Sequence, residues 1–186
     1  MRGWRGVFRM VALEPITRDQ APVLRNLFEL YAHDFSEYVP IDLQPSGRFD
    51  VPVGDQWWAR EDHFPFFIRA SGKLGGFALA RRGSRVSAAT DVMDVAEFFV
   101  LRGERRHGVG SAAAVALFDM FPGAWEIRIR RANPAALKFW ARVAASWLGQ
   151  PVAAQPLSIE GVDWDLLRVE PVVGRPAPTE SWQTSR

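Results

Sequence analysis

Between residues 92 and 148 the hydrophobic spacing alternates between strand and helix, which few architectures accommodate. Val92 to Leu101 is an apolar run suited to an interior strand. Gly108 and Gly110 then lead into SAAAVALFDMF, a largely apolar helical segment that stops at Pro122-Gly123. Next, Trp125, Ile127 and Ile129 alternate with Glu126, Arg128 and Arg130, the pattern of a half-buried strand. Asn133 followed by Pro134 signals a second helix start. Leu137, Trp140, Ala144, Trp147 and Leu148 give that helix an apolar face, and Gly149 ends it. Such a series buries its faces in layered α/β structure.

The flanks extend the series. Val11 to Ile16 reads as a strand, and Thr17 with Gln20 forms a capping-box pattern for a helix over Arg18 to Ala32. The segment from His33 to Trp58 carries three prolines and no period. Connections beyond ~15 residues are usually lids or binding loops. Phe66 to Ala70 and Leu74 to Arg81 read as a hairpin turned at Ser71-Gly72, and Asp163 to Val169 as a last strand. The expected order is β-α-loop-β-β-β-α-β-α-β in one mixed α/β domain over residues 10–170. Residues 1–9 read as a dispensable leader, and residues 171–186, rich in proline and polar side chains, as a flexible tail.

Composition narrows the chemistry. With 186 residues, 48% apolar and 24% charged, the chain fits one globular domain. No run approaches the roughly 20 apolar residues of a membrane span, and MRGWRGVFRM lacks the apolar core of a signal peptide, so a cytoplasmic protein is expected. The absence of cysteine excludes thiolate metal sites and cysteine nucleophiles, and three scattered histidines argue against a metal centre. A net charge of +2 does not by itself imply nucleic acid. The positive residues nevertheless cluster, at Arg102, Arg105, Arg106 and His107 and again at Arg128, Arg130 and Arg131, as a phosphate-bearing ligand would favour.

Arg105-x-x-Gly108-x-Gly110 lies between a strand and a helix. Glycines let backbone approach a ligand closely, and the bare amides of a helix start attract an anion. This motif, its preceding strand, and Asn133-x-x-Ala136-x-x-Phe139 downstream resemble the GNAT family of N-acetyltransferases over about Val11 to Val169. The resemblance implies a single, mainly antiparallel mixed sheet flanked by helices. It also implies acetyl-CoA as acyl donor and an amine as acceptor, and leaves a homodimer open. The backbone of Arg106, His107, Gly108, Val109, Gly110 and Ser111 would cradle the pyrophosphate, with Arg105 beside it. Phe99, Val100 and Leu101 would pair with the pantetheine arm, and Asn133 and Phe139 would complete the cofactor site. A non-catalytic acyl-CoA-binding module, or a nucleic-acid-binding protein using the basic strand, are the alternative readings.

In such enzymes the amine attacks the thioester directly, so a base must take its proton. Glu97 is the candidate, set among apolar neighbours that would raise its pKa. Asp94 is the alternative, and a regular pleat puts the two on opposite faces unless a bulge intervenes. Many family members place a tyrosine acid directly after the residue matching Phe139. Here Trp140 stands there, and an indole is not a usable acid, which leaves Tyr38 in the long loop as a candidate.

Overall fold

Seven strands form one sheet: β1 (Val11–Pro15), β2 (His63–Ala70), β3 (Lys73–Arg82), β4 (Met93–Val100), β5 (Trp125–Arg130), β6 (Gln155–Ile159) and β7 (Val162–Val169). Their spatial order in this computed structural model is β1-β2-β3-β4-β5-β7-β6. Neighbours run antiparallel except β4 and β5, which are parallel. The structure describes residues 9–171, so the expected leader and tail lie outside it but for Arg9 and Pro171.

Helices cover both faces. On one side, α1 (Ala21–Phe35) and the short α2 (Gln56–Ala59) set Leu24, Leu27, Phe28 and Trp57 against Phe67, Phe77, Leu79 and Phe99. On the other, α3 (Val109–Met120) and α4 (Pro134–Leu148) bury Leu117, Phe118, Trp140 and Trp147 against Trp125, Ile127 and Leu167. Side chains of this size contribute roughly 1.5–3 kcal/mol each on full burial.

Local signals set the boundaries. The Gln20 side chain accepts from the Thr17 N–H at 3.0 Å ahead of α1, as the capping pattern implies. Asn133 Oδ1 accepts from the Ala136 N–H at 2.9 Å, and Gly149 at φ +75° closes α4. Ser71 and Gly72 both take positive φ, the requirement of a tight right-twisted hairpin.

Two elements differ from expectation. A seventh strand, β6, precedes the last one; it is short and contains Pro156, which a sheet tolerates at an edge because no ladder donor is needed there. Its turn to β7 uses positive φ at Glu160 and Gly161. In addition, α1 runs to Phe35 instead of Ala32, and the long connection carries α2.

Two irregularities in the middle of the sheet prepare the site. β4 and β5 pair only through Met93–Val95 with Trp125–Ile127 and then diverge. On its other edge, the register of β4 slips: Leu79 opposes Glu97 while Ala80 opposes Val95, leaving Ala96 as an extra residue. The expected opposition of Asp94 and Glu97 is thereby corrected. The bulge resets the alternation, and both carboxylates fall on the α1 side of the sheet.

Candidate active site

The divergence of β4 and β5 opens a cleft of about 960 Å³ that passes through the sheet from the α3–α4 side to the α1 side. From Glu97 to Val100, one backbone edge of β4 is bonded to β3, and from Ala96 to Val100 the other faces this gap without a strand partner. An extended ligand chain laid in the gap would meet a row of main-chain donors and acceptors.

At one end stands the start of α3. Arg106 (φ +62°) and Gly108 (φ +81°) take left-handed conformations that turn the chain tightly into the helix. The first intrahelical bond there is Ala112 N–H to Gly108 O, so the amides of the first turn face outward without helical partners. A Cβ on Gly110 would lie 3.3 Å from the Phe139 ring and 3.5 Å from a Val100 methyl, so a glycine lets α3 seat closely between β4 and α4. These features fit a pyrophosphate and the arm attached to it.

The residues anticipated for the cofactor divide into two groups. Phe99, Val100, Arg105, Arg106, Gly108, Gly110, Ser111, Asn133 and Phe139 all line the cleft. Leu101, His107 and Val109 do not: Leu101 packs toward the α1-side core, His107 is exposed, and the Val109 side chain is buried. Arg105 is already engaged, donating to the Val100 carbonyl at 2.7 Å and pairing with Asp34, which also holds Arg102 at 2.7 Å. Burial works against the ionised Asp34, yet the hydrogen bonds from Arg105 and Arg102 outweigh it and keep this carboxyl below the usual range. Asn133 spends its side-chain oxygen on capping α4 while lining the cleft.

At the other end, Glu97 stands on the wall and accepts a hydrogen bond of 2.6 Å from the Tyr31 hydroxyl of α1. Burial raises the Glu97 pKa above the ordinary carboxylate range, held back in part by that bond and by Arg128. The Tyr31 hydroxyl is pushed well up, by burial and then by the Glu97 charge, so it stays protonated. Asp94 differs. It is fully buried, with Arg81 at 2.8 Å and Arg128 at 3.2 Å, and it does not line the cleft. Tyr38 lines the mouth with its ring 6.2 Å from that of Phe35. Trp140 is packed among Phe98, Phe118 and Phe139.

The glycine-opened helix follows the strand as the sequence motif implies, and the structure adds a split between two parallel strands beside it. Residues 24–144 match the acetyltransferase (GNAT) family. The chain belongs to this family. Solved structures share the GNAT fold at low identity. An acetyltransferase from Thermus thermophilus superposes with a TM-score of 0.64 at 14% identity, over 86% of this chain and 96% of that one. Aminoglycoside acetyltransferase AAC(6')-Ib in complex with coenzyme A gives a TM-score of 0.65 at 12% identity, over 87% and 95%. The ribosomal-protein-S18-alanine N-acetyltransferase from Escherichia coli gives 0.55 at 13%, over 89% and 97%. No curated protein matches the sequence significantly. Among the described residues of this GNAT protein, no helix is long and apolar enough to cross a membrane.

Sequence reasoning passed over Tyr31, whose position on the apolar face of α1 made it look like core. It also passed over Trp164 of β7, which lines the cleft beneath Arg128 and Arg130. Neither carries a local signal, since each acquires its role from a residue on another element.

Proposed function

We propose that this GNAT protein transfers an acetyl group from acetyl-CoA to an amine by direct attack in a ternary complex. The observation that carries this reading is Glu97, a carboxylate of raised pKa opening onto the cleft beside the unpaired edge of β4. Bound acetyl-CoA supplies an activated thioester carbonyl. The first-turn amides of α3, with Arg106, hold the pyrophosphate, while the free edge of Ala96 to Val100 aligns the arm. The amine arrives mainly as ammonium, and Glu97 takes its proton before attack. A carboxylate whose pKa is raised is a stronger base than one in water, and Tyr31 fixes the oxygen it bonds.

The Trp140 indole is not a usable acid, so the leaving thiolate takes its proton from Tyr38, which lines the cleft, and the second proton that the nitrogen loses as the adduct collapses to the amide restores the Tyr38 hydroxyl. Asp94 serves as an anchor, holding Arg81 and Arg128 under the site. The acceptor amines of spermidine N-acetyltransferase and aminoglycoside acetyltransferase, two proteins of like fold, make amine acceptors the first to test. The experiment is thiol release from acetyl-CoA across a panel of amines. Turnover dependent on one amine class is the expected result. Cofactor binding without turnover on any amine would instead make the chain a non-catalytic acyl-CoA-binding module.

A further inference from the structure

The charges lining the cleft are unevenly spent. Asp34 holds Arg102 and Arg105, and the buried Asp94 holds Arg128. Arg106, in the loop before α3, and Arg142, on α4, belong to the cofactor side. Arg130 is different. It lines the cleft from β5 and has no carboxylate partner among the described residues. Of the remaining acidic groups, Glu97 is engaged with Tyr31 and Glu37 is exposed at the rim.

Arg130 is nonetheless held in place. Its guanidinium carbon lies 4.6 Å from the centroid of Trp164, a cation–π contact across the β5–β7 pair, where the two residues are register partners. The Trp164 indole N–H is buried without an acceptor among the described residues, so stacking on Arg130 and Arg128 positions this ring. A guanidinium ordered against an aromatic face loses less freedom when it binds a ligand, and its fork of donors matches a carboxylate. The alternation of β5 puts Arg130 on the same side of the sheet as Arg128, the side that carries Glu97 and Tyr31. Burial raises the Tyr31 hydroxyl, and Arg130 is near enough to pull the other way.

We propose that the acceptor is a small amine bearing a carboxylate, an amino acid in class, with its carboxylate on Arg130 and its amine at Glu97. This rests on the acyl-transfer reading of the cleft. A polyamine would place its extra positive charge against Arg130 and Arg128, and like charges repel. A carboxylate there gains paired charge-assisted hydrogen bonds instead.

The test compares free α- and ω-amino acids, the same compounds as carboxamides, and a polyamine as acceptors, in wild type, Arg130→Gln and Arg130→Lys. At least one amino acid should exceed its carboxamide by roughly tenfold or more in kcat/KM. Arg130→Gln should raise KM for that amino acid by about tenfold with kcat within about threefold, and should leave the carboxamide almost unchanged. Arg130→Lys should restore part of the preference, since it keeps the charge and loses the fork. Carboxamides or the polyamine as the better substrates would overturn the anion site while leaving acetyl transfer intact. If no acceptor turns over, calorimetry with coenzyme A present decides. Amino-acid binding that Arg130→Gln abolishes would sustain the anion site and refute catalysis, and no binding would refute the site as well.

Discussion

The two ends of the cleft are built by different means. The end proposed for the cofactor is mainly main chain: a glycine-turned helix start and a strand edge left without a partner. The end proposed for the acceptor is made of side chains from α1, β4, β5 and β7, namely Tyr31, Glu97, Arg128, Arg130 and Trp164. Main-chain geometry is dictated by a few consecutive residues, so it reads as a motif. A side-chain constellation exists only once distant segments meet.

Substitutions at the two β4 carboxylates test the acceptor end most severely. Glu97→Gln keeps shape and removes the proton acceptor, so kcat should fall by roughly 10²–10⁴ with acetyl-CoA affinity near wild type, measured by steady-state kinetics and calorimetry. Asp94→Asn should do the reverse. It leaves Arg81 and Arg128 without their buried partner, which costs about 3 kcal/mol, or roughly 6–12 °C in Tm, while the folded enzyme keeps kcat within about threefold. A rate collapse in Asp94→Asn with a silent Glu97→Gln would transfer the base to the other carboxylate.

A charge placed in the main-chain end gives the next largest effect. Gly108→Asp adds a negative charge and strains a position at φ +81°. Acetyl-CoA affinity should drop at least about tenfold, or ~1.4 kcal/mol, by calorimetry, with the kcat at saturating donor little changed. Unchanged affinity in a folded variant would remove the pyrophosphate from the α3 start.

Tyr31→Phe has the smallest effect, with kcat reduced by roughly threefold to tenfold as one charged hydrogen bond is lost. Its sharper readout is pH. Burial raises the Glu97 pKa and the Tyr31 bond lowers it, so removing the bond leaves it higher. The rate rises as Glu97 deprotonates, and the acidic limb of the profile should therefore move to higher pH. A limb that stays in place would mean that Glu97 is not the group titrating.

Legibility followed the same division. Pro134, Gly149, Ser71-Gly72 and Gly108 fix their own local conformations, and the elements they bound lie where the sequence places them. The β6 strand escaped notice because Pro156 and its polar neighbours look like a loop, and only the edge of a finished sheet makes them a strand. The sequence allows for a bulge between Asp94 and Glu97 but does not place it at Ala96, because both registers offer apolar residues to both faces of β4. Tyr31 read as one more apolar contact until the bulge brought Glu97 beneath it.

The three-residue join between β4 and β5 has a thermodynamic corollary. The sheet is two leaves, β1 to β4 and β5 to β7, stitched at one margin and held by helices elsewhere. A pantetheine arm in the gap would contribute the missing rungs, which would make the ligand a component of the fold as well. Folding and loading would then share one equilibrium: donor at a hundred times its Kd would add about 2.7 kcal/mol to the native state. The supply of acyl donor around this protein would thereby set how firmly its sheet is closed as well as how fast it turns over.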